Sequence, residues 1–540
     1  MKKLLVILLT LSIFISFITG CSQSDVSSST QPPSSTPSST PSSNDEPDNL
    51  LPLVNEPLTL EAAVMFNKFA PWEDNLALHK LQEETGITIE YRIYSESEQV
   101  SLMYASREYP DISLGLSSTE AQIEAIEAGD VVCLDDYMEL TPNIKAFLEK
   151  YPDVKTQVLF NGSLYAYPYV FLDEVSYGIR DIWLINRMWL DELSLQMPET
   201  SEDFLNVLRA FRDNAGVGTI PQDVIPYYLR YDRGPIGGIY DVICAFGTYV
   251  YDGTYGIVDN GKFVFQATNP DIKEPLMFLA QMYEEKLIPV SMFTDDSATY
   301  YSVVNSSPPI AGCVAGYHNG NNYTLGDWFY PMAPFQTSSG KKPYTRTQAR
   351  GSHNPFAYMI YKDCIDIEAA VKLADYMAIP EVSMEMQWGI EGYAWKYNDE
   401  GLPELNPDWV RDIEASGPYN GPDNLGFALL SSDFYVNPSI ELEGHRAWAV
   451  YNTYADYLPN PTFTYPRLPS GTLDEMDQAR LSDLNEDILM HVQTTIGNWI
   501  SGKGNINEEW DSYVEKLDEL GLEEYLELQQ KKLDNAFANN

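Results

Sequence analysis

Beyond residue 50, segments with the pattern of β-strands alternate with segments with the pattern of helices, and this alternation constrains the fold more than any other feature. Residues 58–64 have the composition of a strand. Leucines at helical spacing follow in residues 76–86, which end in a Thr-Gly pair typical of a helix C-terminus. In residues 87–93 apolar and polar side chains alternate, as in a half-buried strand. A further helix is predicted over residues 118–129. This order predicts an α/β fold with mostly parallel strands.

The C-terminal part of the chain has a different pattern. Residues 507–521 place Trp510, Tyr513 and Leu517 on one side of a predicted helix that ends at a glycine, and a further amphipathic helix is predicted from Leu522. The chain therefore ends in a helical region rather than in further strand and helix pairs.

The first 50 residues predict export rather than folding. A short basic start precedes the apolar residues 4–18, a length that suits a signal-peptide core and is short for a membrane span. Small residues before Cys21 resemble the lipobox of bacterial lipoproteins, so we expect a signal peptide over 1–20 and a lipid on Cys21. The alternative is an ordinary secretory signal. Residues 22–49 are almost entirely Ser, Pro, Thr, Gln and Asp, which predicts a disordered linker over 21–50.

Charge and aromatic content restrict the partners. The chain carries 33 Lys and Arg against 79 Asp and Glu, a formal charge of −46. Such a surface repels phosphate backbones and anionic headgroups, which excludes nucleic acid as a partner and leaves the lipid anchor as the only expected membrane contact. With 37 Tyr and 10 Trp, the chain is rich in side chains that combine a flat apolar face with a polar edge, which suits sugar-like ligands as well as cores.

Motifs for catalysis or for cofactors are missing from the sequence. It has neither the H-E-x-x-H pattern of zinc proteases nor a phosphate-binding loop nor a G-x-S-x-G motif, and its five histidines are scattered. Carboxylates are so frequent that neighbouring pairs such as Asp135-Asp136 arise by chance. The cysteines of the folded part have no C-x-x-C spacing, which favours small buried side chains over disulfides. The sequence therefore predicts a binding protein without cofactor or metal, not an enzyme.

Several segments together resemble a known family. Trp388-Gly389-Ile390-Glu391-Gly392 follows a predicted helix and is similar to the W-G-x-E-G turn of the family 1 extracellular solute-binding proteins, the receptors of carbohydrate ABC importers. Other similar segments occur in the same order over nearly all of the chain after the linker. They are residues 109–112, 161–168, 189–193, 197–200, 510–513 and 520–522.

The resemblance implies a two-lobe periplasmic-binding-protein-like fold with an interlobe cleft. By the family's pattern one lobe holds residues 51–172 and 308–366, and the other holds 173–307 and 367–540. The implied ligand is a carbohydrate, and the implied protein partners are the permease subunits of an ABC importer. We expect a monomer, lipid-anchored on the extracytoplasmic face of the cell membrane.

Within this fold, residues that follow strands or carry aromatic rings are candidates for ligand contact. Trp72 follows the first strand, at the end where open α/β sheets place their ligands. The turn around Glu391 is the densest cluster of aromatic and acidic residues, and its two glycines predict that it lies at the surface. The candidate ligand-contact residues are Trp72, Ser117, Tyr165, Tyr167, Tyr317, His318, Trp388, Glu391, Tyr393 and Trp395.

One family feature is missing here. Alginate-binding relatives carry a calcium loop after the helix that corresponds to residues 204–211. In this chain only Asp213 and Asn214 offer side-chain oxygens at the start of that segment, too few for calcium. The sequence therefore predicts no metal at this place.

Two rival functions remain open at this point. An extracellular glycoside hydrolase would place two carboxylates on either side of a bound sugar, an arrangement in space that no spacing in the sequence reveals. A non-transport surface protein, such as an adhesin or a sensor partner, would share the same export signals. Our prediction is the receptor, an extracellular binding protein that captures an oligosaccharide or a related polyhydroxylated solute by cleft closure.

Overall fold

The structure is a computed structural model, and it describes most of the chain after residue 50. The described residues are 51–65, 75–116, 119–172, 179, 181–231, 238–316, 328–347, 354–406, 427–431, 434–436, 448, 450–459, 463–464 and 472–538. The predicted signal peptide, Cys21 and the linker lie outside them.

Strands and helices alternate through the described chain, as predicted. The strands are β1 (Leu58–Met65), β2 (Ile87–Tyr94), β3 (Ile112–Leu114), β4 (Leu159–Phe160), β5 (Ser163–Leu164), β6 (Ala166–Leu172), β7 (Ile182–Asn186), β8 (Ile225–Tyr228), β9 (Gly256–Asp259), β10 (Lys262–Phe265), β11 (Ala311–Gly316), β12 (Phe329–Met332), β13 (Asn354–Ile360), β14 (Trp395–Tyr397), β15 (Pro403–Leu405), β16 (Leu429–Ser431) and β17 (Phe463–Thr464). The helices are α1 (Leu76–Thr85), α2 (Ser97–Ser106), α3 (Thr119–Glu127), α4 (Pro142–Lys150), α5 (Pro152–Val158), α6 (Arg187–Glu192), α7 (Ser201–Asp213), α8 (Tyr240–Ala245), α9 (Lys273–Glu284), α10 (Ser297–Val304), α11 (Ile367–Met377), α12 (Pro380–Trp388), α13 (Glu475–Ile500), α14 (Ile506–Glu519) and α15 (Leu522–Ala538).

The first lobe is built on a sheet with the strand order β16-β6-β13-β3-β1-β2. Strand β1 pairs in parallel with β2 and β3, and β16 pairs in parallel with β6. Strand β13 runs antiparallel to both of its neighbours, β3 and β6. All strands of this sheet except β13 therefore run in the same direction, which confirms the predicted α/β fold.

Helices cover both faces of this sheet, because side chains along a strand point alternately to opposite faces. Leu60, Ala62 and Val64 of β1 pack into a core with α1, α4, α5, α11 and α12. Ala63, between them in sequence, lies in a second core with α2 and α3. Burial on both faces explains why β1 is apolar through most of its length rather than alternating with polar residues.

The second lobe is built on a sheet with the strand order β12-β7-β11-β8. Strand β7 runs antiparallel to β11 and β12, and β11 pairs in parallel with β8. Trp183 and Ile185 of β7 face a large core that also contains α7, α9 and the C-terminal helices α13, α14 and α15. Ile182 and Leu184 face the opposite core, with α10. The predicted helical C-terminal region is thus part of the second lobe.

The boundaries between the two lobes, as the sheets define them, differ from those that the resemblance implied. Residues 311–316 and 329–332 fall in the range assigned to the first lobe, but they are β11 and β12 of the second sheet. Residues 367–388 and 429–431 fall in the range assigned to the second lobe, but they pack in or beside the first sheet as α11, α12 and β16. The physical reason is strand pairing: β11 lies between β7 and β8, and β16 extends the edge at β6.

The four cysteines among the described residues are free. Cys244 and Cys313 are buried among apolar residues of the second lobe, as predicted. Cys133 and Cys364 are only half-buried. Burial raises the pKa of the Cys244 thiol to about 12, so this thiol stays protonated and behaves as a small apolar side chain.

None of the helices within the described ranges has both the length and the apolar character that a membrane crossing requires.

A buried ion pair joins α1 to α12 in the first lobe. Both carboxylate oxygens of Glu385 lie 2.7 Å from Lys80 Nζ, and the backbone N–H of Glu391 also donates to this carboxylate. The Glu385 side chain is 6% exposed, whereas Lys80 reaches the surface. Burial raises the pKa of Glu385 although Lys80 lowers it, so the charged carboxylate depends on its partners.

We expect Lys80→Met to lower the free energy of unfolding by about 1–3 kcal/mol at neutral pH, less than the ~3–5 kcal/mol for breaking a fully buried pair. Without Lys80 the pKa of folded Glu385 rises further above the unfolded value of 4.5. The destabilisation should therefore shrink as the pH falls through the raised pKa of the folded variant toward 4.5, because protonation of the folded carboxylate removes the unpaired buried charge. Urea titrations of both proteins between pH 4.5 and 7 measure this.

Lys145→Met is the matched control. Lys145 also lies 2.7 Å from a carboxylate, that of Glu139, but this carboxylate is 88% exposed. An exposed pair contributes little, so this variant should unfold like the unmodified protein. Equal losses in the two variants would contradict the importance of Glu385 burial.

Candidate functional site

In the described part of the chain, three connections pass between the lobes, and they all leave from one edge of each sheet. They are residues 172–182, 332–354 and 431–450. In the first sheet, β6 and β16 end and β13 begins at the edge where the parallel strands β1 and β3 also end. In the second sheet, β7 begins and β8, β11 and β12 end at one edge. We call these the connection edges of the two sheets. Each is the side of the sheet at which these strands begin or end, and not an outer strand.

The connections are hydrogen-bonded to one another close to the second lobe. Ile179 and Thr347, in two different connections, form an antiparallel bridge. The backbone N–H of Thr345 donates to the carbonyl oxygen of Tyr457 at 2.8 Å, which brings in the segment that follows the third connection. The described parts of the first two connections and the segment after the third connection therefore lie next to one another.

Carboxyl ends of parallel strands are the usual place for ligands in open α/β sheets, and this rule points to the connection edges. Four predicted contact residues follow strands that end there: Trp72 after β1, Ser117 after β3, and Tyr317 and His318 after β11. These four residues lie outside the described residues, so they remain predictions.

The predicted turn after α12 lies beside the connection edge of the first sheet. Its core contains Phe171 near the end of β6 and Leu430 in β16, and Trp388 packs edge-on against Phe171 with ring centroids 5.8 Å apart. Gly389 and Gly392 have φ values of 115° and 83°, which side chains with a Cβ rarely adopt. These two glycines let the chain reverse from α12 into β14.

Burial divides the predicted residues of this turn into two pairs. Trp388 and Trp395 are only 7% and 2% exposed, so the expectation that the whole turn is exposed is wrong for these two rings. Trp395 Nε1–H donates to the carbonyl oxygen of Gly389 at 3.0 Å, which fixes the turn from below. Glu391 is exposed and Tyr393 half-buried, so these two side chains are accessible to a ligand.

Tyr165 and Tyr167 lie away from the connection edge, so the structure does not favour them as ligand contacts. They lie at the start of β6, whereas the connection edge is at its other end. Tyr167 is fully buried and packs against Tyr358, with ring centroids 6.2 Å apart. Tyr165 packs against Phe160 in the other core of the lobe. The sequence showed that both rings precede a proline, but not in which direction the strand runs.

Sequence reasoning missed the polar groups at the connection edge of the second sheet. Arg230 follows β8 directly and is buried, with its guanidinium 5.1 Å from the centre of the Tyr300 ring and Nη1 3.3 Å from Ser297 Oγ. Arg346, next to Thr347, is buried between Asp181 and Asp241. A buried arginine is unusual enough to be a signal, but burial is not readable from the sequence.

The segment that corresponds to the calcium loop has other partners. Asp213 accepts a hydrogen bond from Arg212 Nε at 2.7 Å, and Asn214 Nδ2 donates to the carbonyl oxygen of Ala210 at 2.8 Å. The Arg212 guanidinium holds the pKa of Asp213 below its usual value. A carboxylate committed to a guanidinium is a poor start for a calcium site.

No family model matches the chain. The fructooligosaccharide ABC transporter substrate-binding protein FusA of Streptococcus pneumoniae is 26% identical over 522 residues, 91% of this chain and 94% of FusA. Lipoprotein LipO of Bacillus subtilis is 25% identical over 245 residues, 44% of this chain and 46% of LipO.

Solved structures show the same fold. FusA in complex with kestose aligns with a TM-score of 0.71 at 22% identity, over 89% of this chain and 100% of the chain in that structure. An extracellular solute-binding protein of Bifidobacterium longum subsp. infantis aligns with a TM-score of 0.73 at 22% identity, over 89% of this chain and 98% of that protein. The predicted two-lobe fold is thus confirmed, and these relatives are binding proteins rather than enzymes. The similarities confirm the predicted resemblance of this chain to the extracellular solute-binding proteins of ABC importers.

Proposed function

We propose that this protein is the lipid-anchored, extracytoplasmic receptor of an ABC importer, and that it captures an oligosaccharide between its lobes without changing it chemically. The observation that carries the proposal is the convergence of the three connections on one edge of each sheet. A ligand held between these edges touches both lobes at once. Similarity to FusA over most of both chains supports a ligand of the fructooligosaccharide class.

Binding between two joined lobes gives the receptor a signal to transmit. An open form admits a hydrated, polar ligand, and closure buries most of it. The ligand shifts the equilibrium toward the closed form by as much as it prefers that form. The permease subunits of the importer then recognise the closed form, and the receptor acts as a monomer.

Glu391 and Tyr393 are the contact residues that the described structure supports best. They lie on the turn beside the connection edge of the first sheet and are accessible, whereas Trp388 and Trp395 pack beneath them. The Tyr393 ring offers a flat face to the C–H side of a sugar, and the Glu391 carboxylate accepts hydrogen bonds from hydroxyls. Trp72, Ser117, Tyr317 and His318 complete the proposed site.

The lipid anchor rests on the sequence and on one relative. Cys21 follows an apolar segment and precedes a Ser- and Pro-rich linker, and LipO bears the name of a lipoprotein. In this proposal the lipid on Cys21 holds the folded part at the membrane surface, and the linker lets it reach the permease.

The first test is ligand binding by the unmodified protein. We expect kestose or a longer fructooligosaccharide to raise the melting temperature, because a ligand that binds only the folded state stabilises it by mass action. A thermal-shift screen against mono- and oligosaccharides measures this, and chromatography of the ligand afterwards checks that it is unchanged. Release of shorter sugars would favour the glycoside hydrolase, and no stabilisation by any sugar would contradict the proposal.

The second test concerns the contact residues. Tyr393→Ala and Glu391→Gln should each weaken binding of the sugar found in the screen by about 1–2 kcal/mol, because the first removes a ring that contacts the sugar and the second replaces a charge-assisted hydrogen bond by a weaker neutral one. Isothermal titration calorimetry measures the affinity. Tyr301→Ala is the control, since Tyr301 is an exposed tyrosine of α10 in the second lobe. Unchanged affinity in both turn variants would place the ligand elsewhere.

The third test concerns the anchor. Cys21→Ala removes the thiol that would carry the lipid, so we expect the protein to move from the membrane fraction to the culture medium. Immunoblots of the two fractions measure this. Equal retention of the variant and the unmodified protein at the membrane would overturn the lipid anchor.

A further inference from the structure

A buried arginine lies where the connections enter the second lobe. Arg346 Nε and Nη2 donate to the two carboxylate oxygens of Asp241 at 3.1 and 3.3 Å, and Nη2 also donates to Asp181. Nη1 donates to the carbonyl oxygen of Tyr251 at 3.3 Å. Asp181 belongs to the first connection, Arg346 to the second, and Asp241 to α8 of the second lobe. One guanidinium thus links two connections to the body of this lobe.

These groups are closed off from solvent. The Arg346 side chain is 1% exposed, and Asp181 and Asp241 are buried as well, so they do not offer their charges to a ligand. Burial disfavours the charged guanidinium, but Asp241 and Asp181 outweigh this effect and raise the pKa of Arg346 above its ordinary value. The guanidinium therefore stays charged, and it lies between the two carboxyl groups.

The third connection ends at the same place. The backbone N–H of Trp183, two residues after Asp181, donates to Tyr454 Oη at 2.6 Å, and Tyr454 is buried. Tyr454, Asp181, Asp241 and Arg346 line one small pocket. Segments of chain that are 60 or more residues apart in sequence thus share one cluster at the connection edge of the second sheet.

We propose that Arg346 is a positioning residue for ligand binding: with Asp181 and Asp241 it fixes the connections to the second lobe and so sets the relative position of the two connection edges. The proposal rests on the proposed function, because an oligosaccharide that bridges both edges needs them at a defined separation. If the connections are flexible, closure of the lobes must first order them. The free-energy cost of this ordering weakens ligand binding. Arg346 acts on the ligand through the connections and does not touch it.

The alternative is that Arg346 only stabilises the fold. The energetics of buried charges allow this role to be separated from the positioning role. A buried ion cluster gains little net stability over apolar residues of similar volume, because removing the charges from water is costly. What it offers instead is a fixed geometry, since a guanidinium donates hydrogen bonds to carboxylates only in a few directions. A test must therefore measure the order of the connections and the affinity, not only stability.

The experiment compares Arg346→Gln with Arg209→Gln. Arg209 is also in the second lobe and donates from Nε and Nη2 to both oxygens of Glu285 at 2.7 Å, but it lies on α7, and its hydrogen-bond partners among the described residues, Glu202, Asn206 and Glu285, are outside the connections. Both variants lose an arginine that holds a carboxylate through two hydrogen bonds. Asp241→Asn, which keeps the shape of the cluster and removes one charge, replaces Arg346→Gln if that variant does not fold.

Hydrogen exchange followed by mass spectrometry reports on the connections without any ligand. We expect the Arg346 variant to speed up exchange of the amides of Trp183, Thr345 and Thr347 at least tenfold, in peptides far apart in sequence. The Arg209 variant should leave these amides unchanged. The affinity for kestose should fall at least tenfold in the Arg346 variant, about 1.4 kcal/mol, and stay constant in the Arg209 variant.

The outcomes separate this proposal from the proposed function. Exchange and affinity that match those of the Arg209 variant would overturn the positioning role and leave oligosaccharide binding intact. If the unmodified protein binds no sugar, the proposed function fails, and faster exchange confined to the Arg346 variant would still support fixation of the connections. Faster exchange together with unchanged affinity would also overturn the positioning role.

Discussion

In both sheets the direction of the strands brings strand ends and connections to a single edge, and the rest of the structure depends on that constraint. In the first sheet, every strand except β13 ends at the connection edge, and β13 begins there. The same edge therefore carries the ends of the parallel strands and the segments that join the lobes. A ligand held there, as we propose, would contact the segments that join the lobes.

The cations of this chain pair with two kinds of carboxylate, some exposed and some buried. The chain has a formal charge of −46, so its few cations are surrounded by an excess of carboxylates. Surface cations form pairs that contribute little, such as Lys145 with Glu139. Lys80 and Arg346 instead hold carboxylates that are buried. Lys80 holds Glu385 beneath the turn around Glu391, and Arg346 holds Asp181 and Asp241 at the connections. In both places a cation fixes the position of a segment that we propose to act in binding.

Local patterns predicted the secondary structure well, because they reflect contacts within a segment. The strand predicted over 87–93 is Ile87–Tyr94, and the helix predicted over 118–129 is Thr119–Glu127. Pairing between distant segments was not predictable in this way. The periodicity of β11 is the same whether it joins the first or the second sheet, so the lobe boundaries drawn from the resemblance differ from those of the sheets.

The candidate site shows the same limit. The turn around Glu391 was predicted from its composition, and it lies beside the connection edge. Composition could not show that the rings of Trp388 and Trp395 point inward while Glu391 and Tyr393 stay accessible. Nor could it show that Tyr167 lies at the wrong end of its strand. Direction and depth arise from the tertiary fold, which a linear pattern does not contain.

The C-terminal helices have a consequence for biosynthesis. The core of the second lobe joins Trp183 on β7 to Tyr525 and Leu528 on α15, near the end of the chain. A ribosome must therefore have made the chain as far as α15 before this lobe can acquire its full native core, and contacts so distant in sequence form slowly. Until then the apolar side chains around Trp183 lack part of their native covering.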